Sequence, residues 1–167
     1  MKDTFSDGLE KVMDNLYKGG AFLTVGNGKE NNTMTISWGS IGYMWGKPMF
    51  MALVRSSRYS NEFLKEGLAY TISIPFDKEM SNELSICGTK SGRDINKEEF
   101  AGIKFIPSKK VDVPVVDGCK KYFECKIVFK QEMDLKNLDE DIRKACYEKE
   151  AKHVLYFGEI VEDYSLT

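Results

Sequence analysis

Histidine is almost missing from this chain: there is one, His153, in 167 residues. The four cysteines, Cys87, Cys119, Cys125 and Cys146, form no C-x-x-C pair. Together these scarcities argue against a zinc site and predict reduced, mostly buried thiols. Long apolar runs are also lacking. Stretches such as PMFMALV at 48–54 fall far short of the roughly 20 residues of a membrane helix. MKDTFSDGLEK has no apolar secretory core, so the cytoplasm is the expected compartment, with no membrane partner. Neither charge sign dominates: 24 basic residues face 26 acidic ones, for a net charge of -2. No basic field exists to recruit nucleic acid, so any anion site has to be local. No G-K-[ST] follows a strand and no G-x-G-x-x-G occurs, which excludes a P-loop and a Rossmann dinucleotide site.

What is present is the composition of one folded domain, here expected to span residues 1–167, with 42% hydrophobic and 30% charged residues. Leu9, Val12, Met13, Leu16 and Tyr17 have helical spacing and stop at Gly19-Gly20. AFLTVG, TMTISWG, MFMALV, LAYTISIP, the region 103–130 and HVLYFGEIVED read as strands. IGYMWGKP reads as a Gly- and aromatic-rich excursion between two of them. Short helices are expected at SNEF, with Ser60 as N-cap, and over DKEMSNELSIC, NKEEFAG and LKNLDEDIRKACYEKEAK. Strands scattered among short helices, without regular alternation, indicate a mainly β, barrel-type fold.

Three polar clusters stand out. In NNTMTISWG, Thr33, Thr35 and Ser37 alternate with Met34, Ile36 and Trp38, so one strand face carries hydroxyls. Such a row is also what the solvent face of an edge strand looks like. RSSRYS, 55–60, sets two arginines and three serines directly after an apolar strand. Guanidinium forks, hydroxyls and a helix N-terminus suit phosphate oxygens, although a solvated loop with one structural ion pair has the same composition. CGTKSGRD, 87–94, places Lys90, Ser91 and Arg93 in a glycine-flanked loop.

In this order and spacing the clusters resemble the flavin reductase-like, flavoredoxin-type family of FMN-binding split barrels. The matching segments are NNTMTISWGSIGYMWGKPMFMALVRSSRYSNEFLKEG, CGTKSGRDINKEEFAGI and HVLYFGEIVE. The resemblance implies a six-stranded Greek-key barrel with peripheral helices, a homodimer, and FMN near the subunit interface. It also implies reduction by NAD(P)H and electron delivery to a flavin, a protein redox partner or another small acceptor, or else an electron carrier that uses nicotinamide poorly. By the same token Asn32, Thr33, Met34, Thr35, Ser37 and Trp38 would line the flavin. Arg55, Ser56, Ser57, Arg58 and Tyr59 would hold its phosphate and ribityl chain, and Lys90, Ser91 and Arg93 would reach it from the loop. His153 would stand near the ring, or merely pair with a carboxylate at a strand end. Tyr43, Met44 and Trp45 are bulkier than the corresponding segment of relatives. A barrel holding some other ligand is the remaining alternative.

Overall fold

A computed structural model describes residues 5–166. Helix α1 (Leu9–Lys18) buries Val12 and Leu16, one turn apart, and leaves Tyr17 82% exposed. It ends where Asn15 O accepts the N–H groups of Gly19 and Gly20 at 2.7 and 2.8 Å. Gly20 adopts φ 85°, and a Cβ there would lie 2.9 Å from Thr35, so glycine is required.

The chain then builds β1 (Ala21–Gly26) and β2 (Asn31–Ile36), followed by β3 (Gly39–Met44) and β4 (Lys47–Arg55). IGYMWGKP is therefore not an excursion but a hairpin. Trp45 and Gly46, with φ 55° and 71°, supply the two positive-φ residues of its tight turn. Helix α2 (Tyr59–Glu66) leads to β5 (Ala69–Ile74), and α3 (Ser81–Thr89) and α4 (Lys97–Ala101) follow. The expected N-cap moves by two residues: Arg58 holds that position, while Ser60 is buried in the first turn and accepts from Asn32 Nδ2 at 2.8 Å.

Region 103–130 is not one continuous strand pattern. It divides into a two-residue ribbon, β6 (Phe105–Ile106) with β7 (Val115–Val116), and the long β8 (Lys121–Glu132). The loop between β6 and β7 is organised by the buried carboxylate of Glu124. It accepts the N–H groups of Lys109, Lys110 and Val111 and the Tyr164 hydroxyl. The expected long helix after β8 is broken as well. A 3-10 turn at Leu135–Asn137 precedes α5 (Glu140–Tyr147), because the Asp134 and Asp139 side chains each cap a new start. β9 (His153–Ser165) closes the described chain.

Seven antiparallel strands form one sheet in the order β2-β1-β5-β8-β9-β4-β3. The fold is mainly β, as expected, with short helices around the sheet. It has seven strands rather than six, and it is not closed. The sheet curls around Phe50, Ile72, Phe123 and Tyr156, and its two edges, β2 and β3, are neighbours in sequence. Only Ser37 and Trp38 connect them, with no ladder across the seam among the described residues. A second apolar cluster, including Phe22, Leu84, Cys87, Ile103 and Tyr122, seats α3 and α4 on the sheet.

Packing is close where β9 crosses Tyr70. The Tyr70 hydroxyl donates to Phe50 O, and a Cβ on Gly158 would lie 2.5 Å from that oxygen and 2.7 Å from Cys125 Cβ. Gly158→Ala is expected to destabilise the fold by about 1–3 kcal/mol. Gly42→Ala, where nothing lies within 4 Å of the added carbon, should change stability by less than about 0.5 kcal/mol. Urea unfolding of the two variants checks this; equal midpoints would contradict the packing argument.

Candidate functional site

The open seam holds a cleft of about 490 Å³ lined by Met34 to Trp38 of the β2 end, Leu53 and Arg55 of β4, Ser57, Arg58, Glu150 and His153. A smaller cavity of about 200 Å³ adjoins it through the shared residues Met34, Ser57 and Arg58. Asn32, Tyr59, Ser60, Lys90, Ser91, Gly92, Arg93 and Lys97 complete its wall.

The structure thus brings most of the expected residues together, in two groups. Met34, Thr35, Ser37, Trp38, Arg55, Ser57, Arg58 and His153 surround the larger cleft. Asn32, Tyr59, Lys90, Ser91 and Arg93 surround the smaller one, again with Met34, Ser57 and Arg58. Two expected residues line neither. The Thr33 hydroxyl turns into the sheet, accepting from Thr24 at 3.0 Å and donating to Leu23 O at 3.1 Å. Ser56 shapes the turn with its backbone, its N–H donating to Lys152 O at 2.9 Å and its carbonyl accepting from Asn61.

Several side chains in the clusters are held by the protein itself. The Thr35 hydroxyl donates to Leu84 O, so the hydroxyl face of β2 is mostly occupied internally. Arg55 Nη1 donates to Ala151 O at 2.7 Å and Cys146 O at 3.3 Å, which anchors the α5–β9 connection to β4. Arg58 Nη2 donates to Gly88 O at 2.6 Å. A guanidinium has five N–H donors. Each arginine is therefore oriented by backbone carbonyls and keeps donors for an anion. Burial, then the neighbouring Arg55 charge, lowers the Arg58 pKa from its ordinary value. Arg93 is committed elsewhere: it pairs with Glu62 and lies 5.1 Å over the Tyr59 ring. Tyr59 in turn donates to Glu30 at 3.0 Å. Ser91 Oγ accepts the Arg93 N–H at 3.1 Å.

His153 forms the far wall. It is buried, with Nδ1 2.6 Å from the Tyr147 hydroxyl and its ring 5.2 Å from the half-exposed Trp38. Burial, reinforced by the Arg55 charge, pulls its pKa down to about 4, so the imidazole is neutral at pH 7. The strand-end carboxylate pairing is replaced by a tyrosine contact. Cys87 is fully buried, and burial pushes its thiol up to about 11, which makes it inert.

Sequence reasoning missed Tyr147, Glu150 and Lys97. Glu150, near the end of the expected helix LKNLDEDIRKACYEKEAK, stands 3.9 Å from Arg55. Tyr147 is the one buried residue of α5, and no motif marks it. Lys97 is buried although it opens a short charged helix. Among the described residues no group of His, Cys, Asp and Glu is arranged to hold a metal, and no helix is long and apolar enough to cross a membrane.

A curled antiparallel sheet with a cationic, aromatic-walled cleft at its seam defines the class. The family follows from the sequence: a model described as flavin reductase like domain matches residues 13–164, and the chain belongs to that family. An uncharacterized protein of Archaeoglobus fulgidus is 27% identical over 117 residues, covering 70% of this chain and 65% of that protein. The chain thus matches under two thirds of that relative's length. Flavoredoxin from Methanosarcina acetivorans superposes with a TM-score of 0.69 at 20% identity, over 89% of this chain and 68% of that one. An NADH:FAD oxidoreductase of Streptomyces globisporus, solved with NAD and FAD fragments, superposes with a TM-score of 0.66 at 16% identity, covering 95% and 81%. At these identities the two structures establish a shared fold.

Because the chain has one histidine, its titration is readable alone. The folded pKa lies below the unfolded value of about 6.5, so the neutral ring stabilises the fold above that pH and the contribution is lost as pH falls toward 4. Imidazole NMR is expected to show a midpoint near 4 in the folded protein, with unfolding becoming easier across the same window. A midpoint near 6.5 would remove His153 from its buried, Tyr147-paired position.

Proposed function

We propose that this chain binds FMN in the seam cleft and acts as a flavoprotein oxidoreductase in the cytoplasm, taking electrons from NAD(P)H and passing them to a flavin or protein acceptor. One observation carries the reading. Arg58 and Arg55, with Ser57 and the N–H groups of Tyr59 and Ser60 at the start of α2, form an anion-binding end beside a wall of Trp38, Leu53 and His153. This donor set fits a phosphate monoester, since both guanidiniums retain donors after their carbonyl contacts.

Bound flavin would supply hydride and single-electron chemistry. The chain's part is to hold and cover it. Arg58 and Ser57 take the phosphate, Met34 and Leu53 give an apolar floor, and Trp38 shields the ring from water. Neutral His153 can offer a hydrogen bond but no imidazolium proton at pH 7. With no P-loop or Rossmann fingerprint, a nicotinamide has to approach the flavin in the same cleft. The Streptomyces neighbour, described as an NADH:FAD oxidoreductase, supports this reading. The flavoredoxin neighbour supports the second one, an FMN electron carrier that uses nicotinamide poorly.

A homodimer belongs to the proposal. Beside the cleft, Leu53 pairs with Leu155 and Met51 with Phe157 on the outward face of the sheet, and Phe157 adjoins Phe129 and Trp45. Trp45 is 63% exposed, and this strip ends at the cleft. A second copy seated there would cover the strip and wall the cleft. Sedimentation is expected to give twice the chain mass, with Leu155→Glu shifting it to the monomer; a monomeric parent protein would end this part of the proposal.

FMN is expected to stay with the protein through gel filtration, and Arg58→Ala should weaken its binding by about 1.5–3 kcal/mol, roughly ten- to a hundredfold. Anaerobic NADH or NADPH should then bleach the bound flavin rapidly. Slow bleaching with fast reduction by a protein donor would select the carrier. A folded protein that cannot be loaded with FMN would refute both.

A further inference from the structure

Lys97 is 7% exposed, and its ammonium joins two elements. Nζ donates to Thr33 O on the free edge of β2 at 2.7 Å and to Cys87 O in the last turn of α3 at 3.0 Å. Two further ties reach the same helix: the Thr35 hydroxyl to Leu84 O at its middle and Arg58 Nη2 to Gly88 O in its last turn. A cation against the final carbonyls of a helix also complements its dipole. α3 runs directly into the loop 90–93, which lines the smaller cavity together with Lys97 itself. A Cβ on Gly92 would collide with Asn32, so the loop sits on β2 without slack.

We propose that Lys97 is a positioning residue for the anionic end of the flavin: its ammonium fixes the end of α3 against β2, sets the 88–93 loop over the smaller cavity, and places a buried positive charge behind the phosphate. This rests on the flavin-binding reading above. Cys87 faces the amine from α3, and Arg58 and Tyr59 face it from the start of α2. Lys90, Arg93 and Asp94 of the loop, Lys29 and Glu30 of the β1–β2 turn, and Glu98 of its own helix line the same cavities as Lys97.

Burial, with Arg58 adding and Cys87 opposing, brings the Lys97 pKa down to about 8. A bound phosphate favours the charged amine, so FMN affinity is present below that pH and declines above it. The folded value lies below that of an unfolded lysine, so deprotonation itself favours the folded state. The buried thiols of Cys87, Cys119 and Cys125, whose pKa values the fold raises, act in the opposite sense above pH 8. Circular dichroism at pH 9 and the riboflavin control therefore separate unfolding from an affinity loss.

The test is fluorescence titration with FMN and riboflavin at pH 7 and pH 9, using wild type, Lys97→Arg and Lys97→Met. Wild type is expected to lose FMN affinity at pH 9 by up to about tenfold, because pH 9 lies one unit above the Lys97 pKa of about 8. Lys97→Arg should hold its affinity at both pH values, Lys97→Met should be weak at both, and riboflavin should show no such dependence. The same loss at pH 9 in Lys97→Arg, or wild-type affinity at pH 7 in Lys97→Met, would overturn the proposal. Should Lys97→Met fail to fold, the arginine variant decides. Should wild type bind no FMN at all, the flavin reading fails by itself. Amide exchange over 84–93, unchanged between wild type and a folded Lys97→Met, would still overturn the positioning role.

Discussion

A sheet that curls without closing keeps two edges, and every backbone group on them needs a partner or water. The rest of this structure follows from how the β2 edge is covered. Lys97 takes the Thr33 carbonyl, Asn32 of the same strand bonds Ser60 of α2, and Thr35 holds Leu84 of α3. Helices α2 and α3 are thereby fastened against one edge, while the two-residue link Ser37-Trp38 leaves the seam itself open. The cleft is the part of the edge that the chain does not cover with its own backbone.

That arrangement explains the chemistry available at the seam. β4 ends beside it, so the turn into α2 delivers Arg55, Ser57 and Arg58 there together. Both arginines spend part of their forks on carbonyls, which fixes their planes before any ligand arrives. Their charge has a consequence for His153, which burial and Arg55 keep neutral. The cleft is cationic at one end and aromatic along one wall, suited to a ligand with an anionic tail and a flat ring.

The strands and most helices were legible because alternation and helical spacing are local signals. The clusters 31–38, 55–60 and 87–94 were joined into one site by their resemblance to the flavin reductase-like family, since each alone also fits a solvated strand edge or loop. What local pattern could not carry was competition at a distance. Thr33 looks like a site hydroxyl, yet Thr24 and Leu23 claim it across the β1–β2 ladder. The stretch 41–48 hid a hairpin because Trp45, not glycine or asparagine, takes the first positive φ. Residues 135–152 had helical spacing, and two aspartate caps divided them. Lys97, Tyr147 and Glu150 entered the site through tertiary contacts alone. The number of strands and the open seam likewise depend on pairings far apart in sequence.

The central claim is that a flavin ring lies against the seam, with Trp38 at its face. The most direct measurement is tryptophan emission of a Trp45→Phe variant, in which Trp38 is the remaining indole, titrated with FMN. The account predicts saturable quenching that ends at one FMN per chain. Emission that stays unchanged at saturating flavin, in a protein that is folded, would contradict it.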